Sequence, residues 1–333
     1  MRARAIFSIS SLHVSYSRRR KKMPSRGAAE RLTGVVPAIY TPFNDNLSID
    51  AGSLQRLADR MASIDGVAGV FCTGHAGEVA SLSREERAHV VKLVAEAVNG
   101  RKPVLAGIYS DSLDESILHA RDAKEAGAQI ATIFPPNVFI GGATATSEAP
   151  FRWFEAIAKG AEIDLCIFQF PVASGVGYST ETLVRLATLP QVVAVKEGSG
   201  SPRAYEANLE ALHSNAPGVS VLTSNNEWWL ADLAYGGDGI LSGSSPVMPT
   251  LQIELWRAMR DGDLAKAREV QKRIRPLLQV FYKSPGIDMH NRMKAALMIM
   301  GFLPGAAVRA PLQALQKQEL ADIEAALQAA GLL

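Results

Sequence analysis

Cysteine is scarce in this chain, with two in 333 residues. Cys72 and Cys166 both sit inside apolar, strand-like runs, and neither has the spacing of a metal ligand. They read as buried free thiols in a reducing compartment, so a disulfide-stapled secreted scaffold is excluded and a cytoplasmic location is expected. No apolar run reaches the length of about 18 residues that a membrane-spanning helix needs. No Gly-x-Gly-x-x-Gly follows the first strand-like run, which argues against an open dinucleotide-binding sheet. No His, Asp and Glu cluster has ligand spacing, so neither a metal nor a cofactor is expected. Charged residues make up only 20% and hydrophobic residues 47%, the composition of a soluble enzyme long enough to bury a sizeable core.

Acid is nearly missing from the first 31 residues, which hold nine basic residues and one acidic one, Glu30. The formal charge of +2 for the whole chain therefore leaves a net of −6 on the rest. The folded part has no basic surplus with which to hold nucleic acid. The block RRRKK at 18–22 follows a weak apolar stretch rather than preceding it, the reverse of a secretory signal. Residues 1–32 are expected to be a disordered basic tail, or an upstream extension with translation beginning at Met23. A transit-type segment and a functional basic arm are the alternatives. The body should not need them.

From residue 34 onward the chain alternates. Apolar, β-branched runs occupy 35–43, 66–74, 103–110, 128–136, 164–171, 192–200, 219–226 and 237–245. Segments with helical spacing follow each, at 50–63, 83–98, 112–126, 148–161, 180–188, 202–214, 227–235 and 249–260. Ser83 with Glu86 three residues on is a capping box opening the second of these helices. Eight strand–helix units with nearly continuous apolar strands predict a (β/α)8 barrel of the TIM type over residues 33–260. Helical segments near 264–281, 288–301 and 316–331 predict a C-terminal helical appendage over 261–333.

Such a barrel puts its chemistry at the C-terminal ends of the strands. Lys196, in VVAVKEGSG (192–200), is the one lysine that ends an apolar strand of this kind. Side chains alternate along a strand, so Lys196 shares a face with Ala194, while Glu197 shares the other with Val193 and Val195. If the small alanine faces inward, the amine enters the barrel mouth, where burial favours its neutral, nucleophilic form. The competing reading is a lysine reaching to water at a strand end. Gly74 to Glu78, after the second strand, offer a glycine-rich turn whose N–H groups suit an anion. GDGILSGSSPVMP (237–249) is a second glycine-rich strand end. Either is also compatible with an ordinary barrel turn.

GHAGEVASLSREER, the FQFP strand, VKEGSG and GGDGILSGSSPVMP occur in one order at suitable spacing. Together they resemble the dihydrodipicolinate synthase / N-acetylneuraminate lyase family of class I pyruvate aldolases, over roughly residues 33 to 315. The resemblance implies a (β/α)8 barrel, Lys196 as a Schiff-base amine, and a 2-oxo acid as small-molecule partner. It also implies a carboxylate site at Gly74, Ala76 and Gly77, substrate contacts at Phe168, Ser242 and Gly243, and a homotetramer or homodimer.

The departures from the family pattern bear on the reaction. The usual Gly-Thr-Thr-Gly-Glu turn reads Gly74-His75-Ala76-Gly77-Glu78 here, without either hydroxyl. The tyrosine that usually relays a proton is Phe168, and the arginine that synthases carry beyond it is Ala173. The aromatic pair near the end of strand four falls at Pro136 and Asn137. A lyase or aldolase other than a true dihydrodipicolinate synthase is therefore expected. The alternatives are a Schiff-base dehydratase or decarboxylase, or a non-catalytic ligand-binding relative. His75 stands at the relay position and is expected to supply a proton, titrating near pH 6–7. Tyr109 is a second candidate. Phe134, Phe139, Phe168 and Phe170 are expected around the mouth and suggest a bulky or apolar aldehyde part. The other histidines, His290 among them, fall on helices or on the tail.

Overall fold

The structure is a computed structural model, and it describes residues 32–333. The expectations for residues 1–31 lie outside the described residues. Eight parallel strands form the core: β1 Gly34–Pro37, β2 Val70–Cys72, β3 Val104–Ile108, β4 Ile130–Ile133, β5 Asp164–Phe168, β6 Val192–Glu197, β7 Ser220–Thr223 and β8 Gly239–Ser242. Their order is β1-β8-β7-β6-β5-β4-β3-β2, and β1 pairs with β8. Single parallel bridges from Val35 to Val67 and from Ala38 to Phe71 draw β1 and β2 together and close the ring. This is the (β/α)8 barrel that the alternation implied.

The strands are shorter than the apolar runs that announced them. The last residues of each run leave the ladder and turn into the barrel mouth. In the second run, Thr73 has φ +50 and Glu78 φ +54. Left-handed conformations in residues with a Cβ cost about 1 kcal/mol or more and persist only where surroundings enforce them. Thr73 is held by Gly107, whose N–H donates to the Thr73 hydroxyl at 3.0 Å. Gly107 has no alternative there: a Cβ on it would stand 2.2 Å from the Thr73 carbonyl oxygen.

The outer layer is α1 Ala51–Ala62, α2 Arg84–Val98, α3 Leu113–Glu125, α4 Glu148–Ala161, α5 Thr180–Leu186, α6 Pro202–Asn215, α7 Trp229–Ala234 and α8 Pro249–Arg260. The Ser83–Glu86 capping box opens α2 with both of its bonds. Asp50, Ser112, Ser179 and Ser201 cap α1, α3, α5 and α6 through their side chains. Three further helices follow: α9 Leu264–Phe281, α10 Met289–Ile299 and α11 Lys317–Ala329. The start of α10 lies against the β2 turn, which brings the C-terminal part of the chain to the mouth. Among the described residues no helix is long and apolar enough to cross a membrane.

Candidate active site

Lys196 is the second-to-last residue of β6, opposite Phe168 of β5 on one side and Leu222 of β7 on the other. It is 7% exposed. Its Nζ stands 3.4 Å from the centroid of the Phe168 ring and 5.7 Å from that of Phe71. Among the described residues no carboxylate or hydroxyl bonds to it. Burial pushes its pKa down from 10.5 to about 7. The aromatic face favours the ammonium and works against that shift, but burial is the larger effect. A large share of the amine is therefore neutral at physiological pH.

The next residue receives the opposite treatment. Glu197 is fully buried on the outer face of β6. Its carboxylate accepts from Asn208 Nδ2 at 2.9 Å, Asn225 Nδ2 at 3.0 Å, and the Ser199 N–H and hydroxyl at 3.2 and 3.1 Å. Burial raises its pKa and these bonds oppose the rise. Asn225 also donates to Asp232 at 3.0 Å, and the Thr223 hydroxyl donates to the same Asp232 oxygen at 2.5 Å. Burial raises Asp232 to about 6. These bonds brace the ends of β6 and β7, behind Lys196.

The β2 turn runs Gly74, His75, Ala76, Gly77. The Thr41 hydroxyl donates to the Gly77 carbonyl at 2.7 Å. The backbone N–H groups of His75 and Ala76 donate to no partner among the described residues. Glu78 ends the turn with a buried ion pair to Lys294 of α10. Its second oxygen accepts the Arg309 N–H at 3.2 Å. Lys294 also donates to the Ala307 carbonyl at 2.9 Å. The turn is thus anchored by the C-terminal part of the chain.

His75 is packed among rings, with centroids 4.8 Å from Phe134, 5.8 Å from Phe168 and 6.1 Å from Phe170. The residue is nonetheless exposed to solvent at the mouth. The surrounding rings and the nearby Lys196 ammonium draw its pKa downward from 6.5, and exposure to solvent at the mouth limits that shift. Lys196 is the group whose pKa is brought to about 7. Only the fold places this turn histidine beside three phenylalanines and a cation.

Phe168 forms the floor under Lys196 and stacks on Phe170 at 4.4 Å. Tyr109 packs edge-on against Phe134 at 5.6 Å. Phe139 does not join this group. It packs on Trp153 and Tyr178, at 5.8 and 6.5 Å, because the short helical turn after β4 directs it into the outer layer. The Ser242 hydroxyl donates to Asn226 Oδ1 at 2.6 Å and lies 3.0 Å from the Ser244 hydroxyl. Tyr282, from the residue after α9, reaches Ser242 at 3.4 Å, and burial pushes its pKa to about 12. Gly243 accepts at its carbonyl from the Tyr40 hydroxyl at 2.5 Å.

His290, in the first turn of α10, also comes to the mouth. Its Nε2 lies 3.2 Å from where a Cβ on Gly243 would stand, so any larger residue at 243 would press on the imidazole. Nothing in the sequence singles it out, since a histidine near a helix start far beyond the barrel has no strand-end position. Among the described residues no group of three or more His, Cys, Asp or Glu is placed to hold a metal.

A closed eight-stranded barrel with a desolvated amine and a polar turn at the C-terminal ends of its strands is the architecture of a (β/α)8 barrel enzyme. The dihydrodipicolinate synthetase family matches residues 31–330, and the chain belongs to it as an enzyme of lyase type. The 4-hydroxy-tetrahydrodipicolinate synthase of Hyphomonas neptunium is 33% identical over 299 residues, covering 90% of this chain and 98% of that one. The dihydrodipicolinate synthase of Thermotoga maritima superposes with a TM-score of 0.82 at 27% identity, over 91% of this chain and 100% of the other. YagE, a prophage protein of the family from E. coli K12 solved in complex with pyruvate, gives 0.81 at 25% identity, over 90% and 99%.

Proposed function

We propose that this chain is a Schiff-base lyase that makes or breaks a carbon–carbon bond beside the imine of a 2-oxo acid, and that it does not carry out the synthase reaction of its named relatives. The observation that carries this is Lys196: a buried amine with no anionic partner among the described residues and a pKa brought to about 7. A structural lysine would be paired or solvated; a neutral desolvated amine is a nucleophile.

The neutral amine attacks the 2-oxo carbon, and loss of water gives a protonated imine. That cation draws electrons from the neighbouring carbon. The Phe168 face, 3.4 Å from Nζ, favours the cationic form. The unused N–H groups of His75 and Ala76 are suited to the substrate carboxylate, with Gly74 and Gly77 giving the turn its shape. Phe168 has no proton to relay, and Ala173 no charge to offer a second carboxylate, which speaks against the synthase reaction. His75, 5.8 Å from the Phe168 ring, takes the acid–base role in place of the missing hydroxyls in this reading. The same reading takes the chain as a cytoplasmic homotetramer or homodimer, with residues 33–260 as barrel body and 261–333 as attached helical unit.

Borohydride reduction in the presence of pyruvate should add the ligand mass to the peptide that contains Lys196. Turnover with pyruvate and aspartate semialdehyde should lie at least about 100-fold below the roughly 10 per second of ordinary enzymes. A label on another lysine, or ordinary synthase turnover, would refute the reading. A dehydratase or decarboxylase would use the same amine and is told apart by its products.

A further inference from the structure

A cavity of about 290 Å³ lies between the β2 turn and the start of α10. Val79, Ile287, Met289, Pro311 and Leu312 make its apolar wall. His75 and His290 also line it and give it a polar end. His75 links that end to the Lys196 site, its ring packing 5.8 Å from the Phe168 ring on which the amine rests. His290 reaches the same place over Gly243, at the end of β8. No lysine or arginine lines the cavity. Its one carboxylate, Glu78, is already bound by Lys294 and the Arg309 N–H.

We infer that this cavity receives the part of the substrate beyond the bond that is broken or made, that this part is an apolar or aryl group without a second carboxylate, and that His290 acts with His75 on the oxygen at its near end. The inference rests on the Schiff-base reading and narrows it to a substrate class. The cavity is small and mostly apolar, the setting in which a ligand tail is desolvated and a few polar groups fix its orientation. A carboxylate placed there would give up part of its water without gaining a cation in return. Burial, with His75, Lys196 and Lys294 nearby, pushes His290 to about 3, so neither imidazole offers a positive charge at neutral pH.

In the cleavage direction the substrate is a 4-hydroxy-2-oxo acid held as the iminium of Lys196. A neutral imidazole takes the hydroxyl proton as the C3–C4 bond breaks. The bonding electrons pass to the iminium and leave an enamine, and the tail departs as an aldehyde. The enamine carbon then takes a proton back from the imidazolium. Water hydrolyses the imine, releasing the 2-oxo acid and the free amine. No redox partner is needed.

The test compares kcat/KM for 4-hydroxy-2-oxo-4-phenylbutanoate and 4-hydroxy-2-oxopentanedioate, which share a head and differ in the tail. The phenyl acid should be preferred by at least about tenfold. Ile287 is 60% exposed on the cavity wall, so Ile287→Arg should fold, and its charge should narrow or reverse the preference by at least about tenfold. His290→Ala should lower kcat for the phenyl acid by at least about tenfold. Equal or better cleavage of the pentanedioate by the native chain, or an unchanged ratio in Ile287→Arg, would overturn the tail assignment; an unchanged kcat in His290→Ala would overturn the role of that histidine. Failure to cleave either acid while pyruvate still labels Lys196 on reduction would overturn the substrate class alone. Absence of that label would remove the Schiff-base reading and this inference with it.

Discussion

Lys196 and Glu197 are neighbours on one strand, both buried, and the barrel treats them in opposite ways. The outward carboxylate is met by donors from Asn208, Asn225 and Ser199. The inward amine is met by the face of Phe168 and by no anion among the described residues. A buried ionisable group with its bonds supplied strengthens the scaffold. One left without them is a reservoir of reactivity that the scaffold must hold in place. The two faces of β6 thus divide the work, the outer bracing the strand end and the inner presenting the nucleophile.

The largest effect that can break this comparison is the loss of Lys196. Lys196→Met should abolish borohydride labelling and lower turnover on the order of 10⁴-fold or more, as for other covalent nucleophiles. It should not lower the melting temperature at pH 7. The folded chain holds the amine near pKa 7, below its ordinary 10.5. Between those values the unfolded chain binds more protons, so native stability rises with pH across that window. The substitution should flatten that slope, which chemical denaturation at pH 7 and pH 10 would measure. A large stability loss would mean that Lys196 is structural.

Glu197→Ala is the mirror experiment. It leaves the amides of Asn208 and Asn225 buried with fewer acceptors, and should cost about 2–4 kcal/mol of stability. The folded fraction should still label at Lys196. Urea unfolding alongside borohydride trapping would show whether the two faces are separable; loss of labelling in fully folded protein would show that they are not.

The smallest effect sharpens the assignment of the titrating group. Labelling by pyruvate should rise as pH increases through about 7, where Lys196 loses its proton, and level off above. His75→Asn should lower turnover by about tenfold or more and leave that midpoint in place, because Lys196 is the group brought to about 7. A midpoint that moves with the His75 substitution would return the titration near neutrality to the histidine.

Much of this was legible along the chain. Eight apolar runs alternating with helical spacing indicate a parallel sheet covered by helices, because each strand needs both faces covered, and the count of eight favours closure into a barrel. Alternation within VVAVKE separates Lys196 from Glu197 by face, and the Ser83–Glu86 pair opens a helix. These are local consequences of backbone geometry and side-chain period, which neighbours in sequence are enough to determine.

What the chain could not state is what meets each group in space. The downward shift of His75 comes from Phe134, Phe168, Phe170 and Lys196, on three other strands or their ends. Phe139 looked like a mouth residue and packs outward instead, on Trp153 and Tyr178. His290, Tyr282 and Lys294 enter the region only because the C-terminal helices fold back over the strand ends. Burial and electrostatic shifts are sums over side chains from distant segments, and no local pattern contains those sums. The sequence by itself determined the barrel and the face on which its lysine stands; the tertiary structure alone decided which residues surround that lysine, since desolvation depends on the whole enclosure.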